Sequence, residues 1–161
     1  MAKEIFMTQW FSEQMLLAGK SLIKRLDELD SKVLAAFWIL DAEDKTWKLT
    51  IVSPLVENEG PRNYYKRIND INESAKPDEE VIALHDISVS DTDNRIVRAI
   101  KRSVLGNAVL ENNRLGRNTL GGVYIEDMYL YRMNWELLED NTPGKITENS
   151  TIHNAGIQSG L

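Results

Sequence analysis

The stretch "VLAAFWIL", Val33 to Leu40, is apolar at every position, so an extended segment here is apolar on both faces. Only a strand in the interior of a sheet buries both faces. Five polar residues, "DAEDK", lead on to "TWKLTIVS", Thr46 to Ser53, and a connection of that length suits an antiparallel hairpin. In the second segment Trp47, Leu49 and Ile51 alternate with Thr46, Lys48 and Thr50, which buries one face and leaves the other wet or covered by polar groups. A central strand and a less central neighbour are the frame on which the remaining elements must be placed.

Ahead of this hairpin Phe11, Met15, Ala18, Leu22, Leu26 and Leu29 recur at spacings of three and four, the signature of an amphipathic helix from about Thr8 to Leu29 with Thr8 as its N-cap. After it, Pro61 is well placed as a first helical residue, and Tyr64, Ile68 and Ile71 extend a second helix to about Asn72. The β-branched content of "VIALHDISVS" predicts a third strand, with His85 and Asp86 at a bulge or bend. Ser90 or Asp91 then caps a third helix that stops at Gly106 or Asn107. From Arg114 onward the pattern is a hairpin whose turn lies within Gly116 to Gly122. Periodicity is lost after Met133, and residues 143–161 have the polar, small-residue composition of a loosely ordered tail. The order α-β-β-α-β-α-β-β predicts one α+β domain over residues 1–142, a single mixed, largely antiparallel sheet packed by about three helices.

A chain of 161 residues is long enough for one domain with one core. It contains no cysteine, which removes disulfides, thiolate nucleophiles and sulfur-based zinc sites and fits a reducing cytoplasm, the expected location. Glu4 and Glu13 interrupt the N-terminal segment before it reaches the apolar run of a signal peptide, and no stretch approaches the ~20 apolar residues of a membrane span. The net charge of −6 conceals a segregated distribution, because Arg95, Arg98, Lys101, Arg102, Arg114 and Arg117 lie between Asn94 and Asn118 against the single acid Glu111.

The glycine-rich stretch "LGRNTLGG" invites a phosphate-loop reading, but Val123 and Tyr124 follow where lysine and serine or threonine are needed, and strand follows where a helix start is needed. A glycine turn explains the same letters. Glu126 and Asp127 are neighbours, so a regular strand sends them to opposite faces, where they share neither a metal ion nor a proton. Asp127 has the parity of Val123, Ile125, Tyr129 and Tyr131, and a buried lone carboxylate costs several kcal/mol, so the residue needs a bulge, an edge or an arginine partner. Glu43, Asp44 and Lys45 match the short half of a metal-dependent nuclease pattern, with Asp41 close by, although these letters also spell an acidic turn. Two histidines, His85 and His153, are too few for a histidine triad on a metal, and "HD" at His85 places no nucleophile beside it.

What survives is electrostatic. On a helix, Ile96, Val97, Ile100 and Val104 fall on one arc and Arg95, Arg98, Lys101 and Arg102 on the neighbouring arc, with Arg114 and Arg117 following in the hairpin. Such a face suits an acidic protein surface or nucleic-acid phosphates, or it answers the protein's own acids within the chain or across a homodimer. Arg62, Tyr64, Tyr65, Lys66 and Arg67 form a second basic and aromatic cluster suited to stacking bases. The expectation is a non-catalytic interaction or regulatory protein that needs no cofactor or metal. The alternative is a metal-dependent nuclease or phosphodiesterase using Asp41, Glu43, Lys45, Glu126 and Asp127.

Overall fold

The computed structural model describes residues 2–140, so the tail assigned to residues 143–161 lies outside the described residues. The elements are β1 (Lys3–Glu4), α1 (Glu13–Glu28), β2 (Ala35–Leu40), β3 (Trp47–Val52), α2 (Leu55–Glu59), α3 (Pro61–Ser74), β4 (Glu80–Val81), a 3-10 turn (Leu84–Asp86), β5 (Ile87–Ser90), α4 (Arg95–Arg102), β6 (Leu110–Leu120), β7 (Val123–Met133) and α5 (Trp135–Asp140). Five strands form one sheet in the order β5-β3-β2-β7-β6, antiparallel except for the parallel β3–β5 pair, while β1 and β4 form a small parallel pair of their own. This is a mixed α+β fold with an open, largely antiparallel sheet packed by several helices.

β2 is the middle strand, as its two apolar faces require. Ala36 and Trp38 join a core with Met15, Leu22 and Leu26 of α1 and Tyr64, Ile68 and Ile71 of α3. Ala35 and Phe37 face the other way, into a second core with Val97 and Ile100 of α4 and Leu138 of α5. Each fully buried large side chain in these layers contributes roughly 1.5–3 kcal/mol.

Several boundaries differ from the sequence expectation, each for a local reason. α1 is capped by Ser12, whose Oγ accepts from the Met15 amide at 3.1 Å, and not by Thr8. The Thr8 hydroxyl donates to the Trp10 carbonyl instead, and the segment before α1 crosses the end of β3, where the Trp47 indole donates to the Gln9 carbonyl at 2.9 Å. α4 is capped by Asn94, which accepts from the amides of Ile96 and Val97; Asp91 spends its carboxylate on the Asp93 amide. The same helix ends at Arg102, because the Ser103 hydroxyl bonds back to the Ile100 carbonyl and the chain turns before Gly106. "VIALHDISVS" divides between β4, the 3-10 turn holding His85 and Asp86, and β5. The stretch after Met133 forms a helix that its weak periodicity hid, with Asn134 Oδ1 accepting from the Leu137 amide.

Ser31 is fully buried between Asp30 (φ 51°) and Lys32 (φ 52°), two non-glycine residues in the left-handed region. Each such residue costs about 1–2 kcal/mol, so the turn needs outside support. The Ser31 carbonyl supplies it by accepting from the Tyr64 hydroxyl at 2.9 Å and from the Ser53 hydroxyl at 3.0 Å. Burial pushes the Tyr64 phenol up to about 12, and burial likewise raises Tyr131. An unfolded chain loses these protons near pH 10 while the native state keeps them, so the unfolded state binds fewer protons and stability falls as pH rises above that point. The slope is about 1.4 kcal/mol per pH unit for each tyrosine. Urea midpoints measured from pH 9 upward are expected to drop accordingly, with Tyr64→Phe removing about half of the slope; a flat profile to pH 12 would contradict it.

Candidate functional site

α4 presents its basic residues to the surface because Val97 and Ile100 are drawn into the core on the opposite side. Two of those four charges meet acids of the same chain. Arg98 pairs with Asp93, just ahead of the helix. Lys101 pairs with Glu139 of α5 at 2.7 Å, donates to the Gly106 carbonyl at 2.9 Å and stands 5.2 Å from the centre of the Trp135 ring. Arg102 reaches the β6–β7 turn and donates to the Gly121 carbonyl at 2.8 Å, a contact with no carboxylate in it. Arg95 is exposed and has no acidic partner among the described residues, and the same holds for Arg117 of β6. Of the six cations, Arg98, Lys101 and, with Asp127, Arg114 pair with a carboxylate, and Arg95, Arg102 and Arg117 have none among the described residues.

Beside α4 lies a cleft of about 210 Å³ lined by Val97, Arg98, Lys101 and Arg102 together with Trp135 and Leu138 of α5. Its walls are apolar and charged, with the Lys101–Glu139 pair beside Arg98 and Arg102. Trp135 and Leu138 were invisible as site residues in the sequence because α5 itself was missed; Asn134 followed at helical spacing by Leu137 and Leu138 was the available signal.

The hairpin turn is held against α4 by the Arg102 bond and by a close approach of Gly121 (φ 53°) to the helix backbone at Ala99. The turn falls between Leu120 and Val123, inside the window read from the sequence. β7 does not keep strict alternation. Tyr131 is an extra residue between the pairs Ala36–Arg132 and Phe37–Leu130, which places Tyr131 and Arg132 together on the α1 side, where Arg132 makes two bonds to Asp27 at 2.8 and 2.9 Å. A second irregularity opposite Arg117 (φ 50°) sends Ile125 and Met128, three residues apart, into the same core. Asp127 is thereby turned to the α1 side, half-buried, and accepts two bonds from Arg114 at 2.6 and 2.7 Å. The Asp127 carboxylate in turn raises the pKa of the Arg114 guanidinium, which also lies 5.3 Å from the centre of the Phe11 ring.

Arg114 therefore does not extend the basic face of α4. It lies across the sheet from that helix, in a group with Phe11 and Tyr129, whose rings stack at 5.1 Å. The second basic and aromatic cluster is also dispersed. Tyr64 is fully buried and offers no ring face, the Tyr65 hydroxyl donates to the Ile87 carbonyl, and Arg67 pairs with Glu59 at 2.8 Å, leaving Arg62 and Lys66 on the helix surface.

The acidic residues of the alternative reading come nearer one another than their numbering suggests, since Leu40 pairs with Asp127 and Asp41 follows at once. The side chains of Asp41, Glu126 and Asp127 are otherwise engaged. Asp41 Oδ1 accepts from the amides of Glu43 and Asp44, Lys45 sits in the turn at φ 57°, and Asp127 is held by Arg114. Glu126 Oε1 accepts from the Tyr124 hydroxyl at 3.3 Å. Among the described residues no group of three or more histidine, aspartate or glutamate side chains is placed to hold a metal ion. No helix among them is long and apolar enough to cross a membrane.

Comparison of the chain with protein-family models, with curated proteins and with solved structures finds no match.

Proposed function

We propose that this chain is a non-catalytic binding module that takes an acidic protein segment at the junction of α4 and the β6–β7 turn. The observation carrying the proposal is the pair of exposed arginines on α4, Arg95 and Arg102, that have no carboxylate partner among the described residues. Guanidinium groups bind carboxylates in bidentate fashion, which suits them to an acidic peptide. The cleft beside Arg102, with Val97 and Trp135 in its wall, adds room for one apolar side chain of that segment. A nucleic acid fits less well. Two arginines without a carboxylate partner among the described residues supply few phosphate contacts, and a net charge of −6 repels a long polyanion.

The test is fluorescence anisotropy of the full chain with a labelled glutamate-rich peptide containing one leucine, and with a labelled DNA oligonucleotide of similar length. Peptide binding is expected, weakening with salt and at least tenfold weaker in the double variant Arg95→Glu, Arg102→Glu, whose thermal melt falls by no more than a few degrees because both side chains are exposed and the only bond lost among the described residues is the exposed one from Arg102 to the Gly121 carbonyl. Tighter binding of the oligonucleotide, or peptide binding indifferent to the charge reversal, would overturn the reading. Cleavage of labelled DNA or RNA with magnesium or manganese would restore the nuclease alternative.

A further inference from the structure

β6 is the outermost strand of the five-stranded sheet, eleven residues long, and no described strand pairs with its outer edge. Such an edge is a template for another strand. Its sequence, "LENNRLGRNTL", becomes complementary to itself when reversed about Arg114. We propose that β6 pairs antiparallel with β6 of a second copy about a two-fold axis at Arg114, joining the two sheets into one of ten strands.

Three observations fix that register. In an antiparallel pair related by a two-fold axis normal to the sheet, residues directly opposite must point to the same face. Asn113 and Leu115 both oppose residues of the α4-side core on β7, as do Leu110 and Asn118, so a centre at Arg114 places like faces together on both sides of the irregularities. The same centre sets Glu111 opposite Arg117 twice. Both residues are exposed and neither makes a close ion pair among the described residues; Glu111 already lies opposite Arg132 on β7, and the pairing gives Arg117 an opposite charge and Glu111 a second one. It also sets Val109, 86% exposed in the single chain, opposite Thr119, in line with Tyr124, itself 53% exposed, one strand further on. Arg114 meets its own copy at the axis, but its charge is already compensated by Asp127, so two bare cations are not brought together. The left-handed residue Asn112 falls opposite Gly116, which has no side chain to obstruct it.

The experiment is sedimentation velocity of the full chain over a wide concentration range, for the parent and for Glu111→Arg, Arg117→Glu and the double variant. A dimer is expected whose dissociation constant rises at least tenfold in each single variant, where like charges face each other, and returns toward the parent value in the double variant. A monomer at every concentration would overturn the proposal and leave the edge arginines as a guard against pairing. A dimer unaffected by the single changes, or not restored by the double, would overturn it equally, since association would then use another surface. The acidic-segment reading is tested separately, at Arg95 and Arg102, which take no part in this interface.

Discussion

Gly19→Ala is expected to lower the unfolding free energy by about 2–4 kcal/mol, although alanine is the better helix former by about 1 kcal/mol. A Cβ at this position would lie 2.2 Å from the Tyr131 hydroxyl and 2.9 Å from the Trp38 indole nitrogen. That hydroxyl has no free direction in which to move. It accepts from Trp38 Nε1 at 2.9 Å, donates to the Leu16 carbonyl at 2.8 Å, and its ring stands edge-on to Tyr129. Relief of the clash separates the pair and leaves a buried indole N–H unpaired, at about 1–3 kcal/mol, in addition to about 1–3 kcal/mol for the overpacked core. For a domain of this size the melting temperature falls by about 5–15 °C. Combining the change with Tyr131→Phe removes the oxygen that the new methyl meets, so the double variant is expected to cost at least about 1 kcal/mol less than the sum of the singles. Strict additivity in that cycle would show that the close approach of α1 to the sheet is not what requires glycine.

Gly121→Ala is the second large effect, and here the obstacle is main chain. The added Cβ would stand 2.0 Å from the Ala99 carbonyl oxygen, and Gly121 already has φ at 53°. The left-handed conformation costs alanine about 1–2 kcal/mol and displacement of the helix backbone a further 1–3 kcal/mol or so, about 2–5 kcal/mol in all. Its neighbour is the control. Gly122 also has a positive φ, 84°, but nothing lies within 4 Å of its would-be Cβ, so Gly122→Ala carries the conformational term alone. Because Arg102 donates to the Gly121 carbonyl, moving the turn also displaces an arginine of the binding surface. Gly121→Ala is therefore expected to weaken acidic-peptide binding as well as stability, whereas Gly122→Ala keeps near-parental affinity. Equal melting temperatures for the two variants would contradict the packing of the turn on α4.

The frame of the fold was legible because it follows from periodicities that burial enforces. "VLAAFWIL" became the middle strand, "TWKLTIVS" its neighbour, Pro61 the first residue of its helix, and the glycines the turn of the last hairpin. Helix ends were less legible, because Thr8, Ser12, Asp91 and Asn94 are all competent caps and tertiary contacts selected between them. Two irregularities in β7 and its partner lay beyond any count of two, and they decide where Asp127, Tyr131 and Arg132 point. The basic surface was legible only as a list of residues. On α4 Arg95, Arg98 and Arg102 are exposed and Lys101 is half-buried against α5, but Arg114 lies across the sheet.

The division has one physical cause. Hydrophobic burial acts on every residue of an element and leaves a periodic trace in the chain, so the sequence by itself determined the three longer helices α1, α3 and α4, the β2–β3 hairpin with β2 in the centre, and the turn of the last hairpin, while the short β1, α2, β4 and α5 left too little periodicity to be read. Ion pairing depends on separations of a few ångströms between residues far apart in the chain and leaves no such trace. Only the tertiary structure decided that Asp93, Glu139 and Asp127 neutralise Arg98, Lys101 and Arg114, and that Arg95 and Arg102 meet no carboxylate among the described residues.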